Sequence, residues 1–132
     1  MTVLFFMARP GGGGEELLCS LSRLVPRESL ESFFDLGSFS ERIRRPGESA
    51  SIAIIWNPAK EDLRRIGSMK DLLRGGRTLL ALADQDKETV ALAHNLLPAF
   101  ISYVGDGISG LLSVLERLTG FAAGSPARGA DS

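Results

Sequence analysis

The chain is poor in the side chains that carry most enzyme chemistry: its 132 residues include one cysteine, one histidine, one tryptophan and one tyrosine. With Cys19 alone, an internal disulfide is excluded, and a reducing compartment is the expectation. His94 has no serine or cysteine partner at a recognisable motif spacing, so a solvent-facing helix residue is expected rather than a general base. No cluster of His, Cys and carboxylates has metal-ligand spacing, and no G-x-S-x-G elbow occurs. No apolar run approaches the roughly 18 to 20 residues of a membrane span. The opening stretch from Thr2 to Met7 is too short for a signal-peptide core, and Arg9 follows it rather than preceding it. Fifteen basic against sixteen acidic residues leave a net charge of −1, so no whole-molecule field favours nucleic acid or an anionic membrane. The expectation is a cytoplasmic protein with no cofactor, no nucleic-acid partner and no membrane partner.

What the chain has in quantity is apolar residues, 44% of the total, enough for one domain with a real core. They fall into strand-like and helix-like stretches that alternate. Val3 to Ala8, Ser51 to Trp56 (SIAIIW), Thr78 to Ala83 (TLLALA) and Ala99 to Val104 read as strands, with Leu30 to Phe34 as a short one. Near-continuous apolar strands suit a parallel sheet covered on both faces.

Between them, helices are predicted over Glu15 to Val25, from after Phe34 through Ile43, and over Lys60 to Leu73, Asp86 to Leu97 and Gly107 to Leu118. The inward sets are Leu17, Leu18, Leu21, Leu24 and Val25; Leu63, Ile66, Met69, Leu72 and Leu73; Val90, Ala93 and Leu97; and Ile108, Leu111, Leu112, Leu115 and Leu118. Five strand-helix units predict an α/β, flavodoxin-like doubly wound sandwich with a five-stranded parallel sheet. Residues 1–119 form this domain. Residues 120–132, GFAAGSPARGADS after Thr119, read as a flexible tail or linker.

The loop after the first strand, Arg9-Pro10 followed by Gly11 to Gly14, lies where such a sheet binds ligands. A phosphate-cradling Walker loop needs a lysine after its last glycine, and Glu15 and Glu16 stand there instead. The dinucleotide pattern fails as well, since it needs a glycine at Glu16. Two carboxylates suit a helix start but repel a phosphate. A turn is the favoured reading, and a nucleotide or anion cradle at Gly11 to Gly14 is the alternative.

In layout, with Pro58 soon after the third strand and Tyr103 in the fifth, the chain resembles the receiver domains of two-component response regulators from about Thr2 to Leu118. The resemblance implies an acidic pair after strand one, a phospho-accepting Asp ending strand three, a Ser or Thr ending strand four and a Lys ending strand five. Here the first loop offers Ala8, Arg9 and Pro10. Strand three offers Asn57 if strand ends are matched, or Ile54 if prolines are matched. Strand four ends in Ala83 and Asp84, and the Lys position falls on Asp106. Mg²⁺ needs hard carboxylate oxygens, and an amide cannot form an acyl phosphate. The expectation is therefore a non-enzymatic pseudo-receiver that works by docking to a protein partner or to itself as a homodimer. Arg9 is expected to fill the vacant pocket by pairing with Asp84 or Asp106. By the same resemblance the docking surface is the fourth helix, fifth strand and fifth helix, with Lys87, His94 and Tyr103.

Charge is uneven along the chain. Nine basic residues (Arg42, Arg44, Arg45, Lys60, Arg64, Arg65, Lys70, Arg74, Arg77) meet five acids from Glu41 to Arg77, and five acids meet two bases from Asp84 to Arg117. Solvated helix faces are the plain reading, and head-to-tail pairing of two copies is the sharper one. Cys19 is expected to be buried or half-buried beside the first helix's apolar face. Trp56 is expected in the core. Of Phe33 and Phe34, adjacent on one strand, one is expected to be exposed.

Overall fold

The computed structural model describes residues 2–10, 13–45, 51–73 and 75–120. The expectations for Gly11, Gly12, Arg74 and the tail 121–132 lie outside these residues. Five strands, β1 (Val3–Met7), β2 (Leu30–Phe33), β3 (Ile52–Trp56), β4 (Arg77–Leu82) and β5 (Phe100–Tyr103), form one parallel sheet in the order β2-β1-β3-β4-β5. Five helices, α1 (Gly14–Leu24), α2 (Leu36–Ile43), α3 (Lys60–Gly67), α4 (Lys87–His94) and α5 (Ser109–Thr119), cover both faces. This is a flavodoxin-like sandwich. Its strand order turns back between β1 and β3, and the crevice at a switch point of this kind opens at the carboxyl ends of those strands.

β1 and β3 are buried along their whole length, which is why they read as unbroken apolar runs. Alternate residues feed two cores. Phe5, Ile54 and Trp56 pack with Leu17 and Leu21 of α1 and with Leu111 and Leu115 of α5. Phe6, Ile55 and Leu80 pack with Phe39 of α2, Leu63 and Ile66 of α3 and Ala93 of α4. Among the described residues no helix is long and apolar enough to cross a membrane.

Several local expectations are corrected. The helix expected to run to Leu73 stops at Gly67: Ser68 N–H donates to both Arg64 and Arg65 carbonyls, Met69 N–H donates to Ile66 O, and the chain continues as a 3-10 turn over Lys70–Leu73. Leu72 therefore points outward, 49% exposed. Gly67 is where the ends of α3 and α4 approach, since a Cβ there would stand 3.2 Å from Asn95 Nδ2.

α4 likewise ends at His94. Pro98 disfavours the right-handed helical conformation at the residue before it, and Leu97 takes φ 52°. Leu97 is thrown into solvent, 78% exposed, while Leu96 takes the inward place. Phe34 is the exposed member of its pair. Cys19 is exposed rather than buried, 3.6 Å from Arg23 Nη2 on the next turn. Arg42, counted above with solvated charge, is buried, and its Nε lies 2.9 Å from Glu31 Oε1 on β2.

Candidate functional site at the switch point

The crevice is built from the ends of β1 and β3 and the start of α1. Ala8 N–H donates to Trp56 O (3.0 Å), extending the ladder one residue past β1, and Asn57 N–H donates to Ala81 O (2.8 Å). Asn57 then turns the chain with φ 54°, a left-handed conformation that asparagine tolerates better than most residues. This turn presents its side chain and carbonyl to the first loop.

Arg9 reaches across and grips that turn. Its Nε donates to Asn57 O at 3.0 Å, and its Nη2 donates to Asn57 Oδ1 at 3.1 Å and to Pro58 O at 3.2 Å. The expected pairing with Asp84 or Asp106 does not occur. Asp84 instead accepts from Asp86 N–H at 2.9 Å, which shapes the turn into α4, and Asp106 is exposed in the 3-10 turn Val104–Asp106. Carbonyl oxygens one and two residues beyond Trp56 take the Arg9 donors instead.

Of the positions matched to a receiver's phosphorylation residues, Arg9 and Asn57 are thus brought together, with Pro10 exposed beside them. Ala83 lies exposed past the end of β4. Ile54, the other candidate for the acceptor place, is mid-strand and buried in the core.

The last residue of β3, Trp56, faces α1. Its indole is fully buried against the start of α1. A Cβ on Gly14 would fall 2.8 Å from Trp56 Nε1 and 2.5 Å from Met7 Sδ. Gly13, the residue before α1, has φ 101°, which glycine adopts without a steric penalty. A Cβ on Gly13 would meet Ile108 Cγ2 at 3.6 Å and Trp56 Cζ2 at 3.9 Å. Gly13 and Gly14 therefore serve a close approach of helix to indole. The helix start is lined by Trp56, Met7 and Ile108, and by Glu15 and Glu16 in its first turn.

Beyond the crevice, α3 and α4 are tied by ions. Lys60 Nζ lies 2.9 Å from Asp86 Oδ2 and 3.3 Å from Glu88 Oε1, and Arg64 pairs with Glu88 as well. Hydrogen bonds from Lys60 hold the Asp86 carboxyl below its ordinary range, and those from Arg64 and then Lys60 do the same for Glu88. Asp86 and Glu88 in turn hold the Lys60 ammonium above its ordinary range. The basic and acidic skews seen in the sequence are thus partly neutralised inside one chain.

On α4, Lys87 and His94 are seven positions apart and share a face. Both are exposed, and Tyr103 of β5 is half-buried. Among the described residues, no group of three or more His, Cys, Asp or Glu could hold a metal ion.

Sequence reasoning missed Arg42 and the Trp56–Gly14 contact. The second left a faint trace, a tryptophan ending one strand and small residues opening the helix beside it.

No protein-family model, no curated protein and no solved structure matches this chain.

Proposed function

We propose that this chain is a receiver-like docking domain that accepts no phosphate and acts by binding a protein partner or a second copy of itself. The observation that carries the reading is the Arg9–Asn57 contact. At the crevice where a receiver of this layout would gather carboxylates around Mg²⁺, a guanidinium donates to an amide oxygen and two carbonyls. Acyl phosphate formation needs a carboxylate nucleophile, and a protein Mg²⁺ site is anchored by one or two carboxylates. Arg9 and Asn57 supply neither.

The reading leaves the outer surface as the working part. Lys87 and His94 form a stripe on α4 with no ion-pair or side-chain hydrogen-bond partner among the described residues, and Tyr103 on β5 is half-buried. The other reading, an anion or nucleotide on the glycine loop, meets the indole of Trp56 and two glutamates at the helix start.

A thermal melt with Mg²⁺ and beryllofluoride, run beside a panel of nucleotides and flavin mononucleotide, tests the choice. The docking reading predicts no shift with any of them. A rise in Tm with beryllofluoride would restore a phosphorylation site, and a rise with a nucleotide or flavin alone would favour the glycine loop.

A further inference from the structure

Among the described residues β2 is an edge strand, with β1 on one side and no strand on the other. Natural edges are commonly blunted by proline, by lysine or by a charge on the strand. Leu30–Phe33 is short, at four residues, but has no proline or lysine, and its one charged side chain, Glu31, is drawn back to the buried Arg42 at 2.9 Å.

Beside this edge runs a groove of about 450 Å³ lined by Leu18, Ser22, Val25, Arg27, Leu30 and Ser32. Leu30 and Ser32 pair with Val3 and Phe5, so both face the α1 side of the sheet. α1 supplies Leu18 and Ser22, the residue just after it is Val25, and Arg27 stands at one end. The lining holds aliphatic side chains, two hydroxyls and one cation, with no carboxylate. Arg27 is exposed and has no ion-pair partner among the described residues.

We infer that this edge and groove receive an extended acidic segment of a partner protein. The segment adds as a sixth strand beside β2, lays alternate aliphatic side chains on Leu18, Val25 and Leu30, and sets a carboxylate on Arg27. Backbone pairing supplies affinity, the groove selects every second side chain, and Arg27 selects the charge. The inference rests on the reading of the chain as a docking domain, and the two fail separately: beryllofluoride and nucleotides probe the crevice without touching the β2 edge.

The probes are two terminally blocked peptides of alternating valine and threonine, one with glutamate at both ends and one with lysine there. Amide NMR spectra of the whole chain are followed as each is added. The glutamate peptide is expected to shift Leu18, Ser22, Arg27, Leu30 and Ser32. The lysine peptide and the exposed-site variant Arg27→Ala should each bind about fivefold more weakly, the weight of a half-exposed ion pair. Equal binding of the two peptides, or shifts confined to β5 or α4, would overturn the assignment. So would broadening of the same groove amides with protein concentration alone, which would mean that a second copy takes the edge.

Discussion

Gly14 and Trp56 lie so close that a single methyl group on the glycine would fall 2.8 Å from the indole nitrogen. One residue opens the first helix and the other closes the third strand, so their contact lies at the carboxyl end of the sheet, beside its switch point. A loop that looks in sequence like a ligand cradle is, at Gly13 and Gly14, a place where helix and tryptophan meet.

Gly14→Ala should therefore cost more than helix propensity suggests. Alanine favours a helix, yet here its methyl group overlaps Met7 Sδ and the indole. A loss of about 1–3 kcal/mol is expected, as for other overpacked sites, read from the urea midpoint. An unchanged or raised midpoint would mean that the helix start has room to move.

The Arg9 grip is partly exposed, and its three hydrogen bonds serve one loop. Arg9→Ala should lower stability by about 1 kcal/mol. Asn57→Ala loses Oδ1 and also puts alanine at φ 54°, so it should cost more. A double-mutant cycle checks the geometry, since the two losses should fall short of adding. Strict additivity would place Arg9 elsewhere in solution.

How much of this was legible in the sequence depends on how local the cause is. β1, β3 and β4 announce themselves because a strand covered on both faces needs an apolar residue at every position. α1 does so because Leu17, Leu21 and Leu24 recur at helical spacing. The end of α3 was hidden because Gly67 lies against Asn95, just past the end of α4 and distant in sequence. Leu97 carried its own signal in Pro98, which the apolar periodicity outweighed. At the site, the missing carboxylates were readable residue by residue. Arg9's partner was not, because the left-handed turn at Asn57 brings carbonyl oxygens to it that no sequence pattern displays.

Leu97 offers a test of strain. A leucine at φ 52° and 78% exposed gains little from burial and bears a left-handed backbone. Leu97→Asn should raise stability by about 0.5 kcal/mol, because asparagine occupies that region more readily. Thermal unfolding of the two chains side by side decides it, and a fall in Tm would show that Leu97 makes a contact worth more than its strain.

Acid should weaken the molecule through the α3–α4 ion cluster and the α2 cap. Glu88 and Asp86 titrate below their ordinary 4.5 and 3.8 because of Arg64 and Lys60. Asp35 titrates below 3.8 because Ser38 N–H and Oγ donate to it. A depressed folded value means that the stabilisation is complete above the unfolded value and is lost as pH falls through the folded one. Lys60 has the opposite sign: raised above 10.5 by Asp86 and Glu88, it contributes fully below that value and loses its share as pH climbs past it. Stability should be flat through neutrality and fall on the acid side. In Glu88→Gln the acid fall should be shallower, and because these groups are exposed, salt should flatten it too. A profile of unchanged slope in the variant would remove Glu88 from the account.

The burial of Trp56 against the start of α1 is the claim on which the packing role of Gly13 and Gly14 depends, and the chain has one tryptophan with which to test it. Acrylamide quenching of its fluorescence in the folded chain, compared with the urea-unfolded chain, is the direct measurement. An indole packed in this way predicts short-wavelength emission, strong protection from quencher and no change when flavin mononucleotide is added. Long-wavelength emission with quenching near that of the unfolded chain would contradict it, because the indole would then stand open where a ligand could bind.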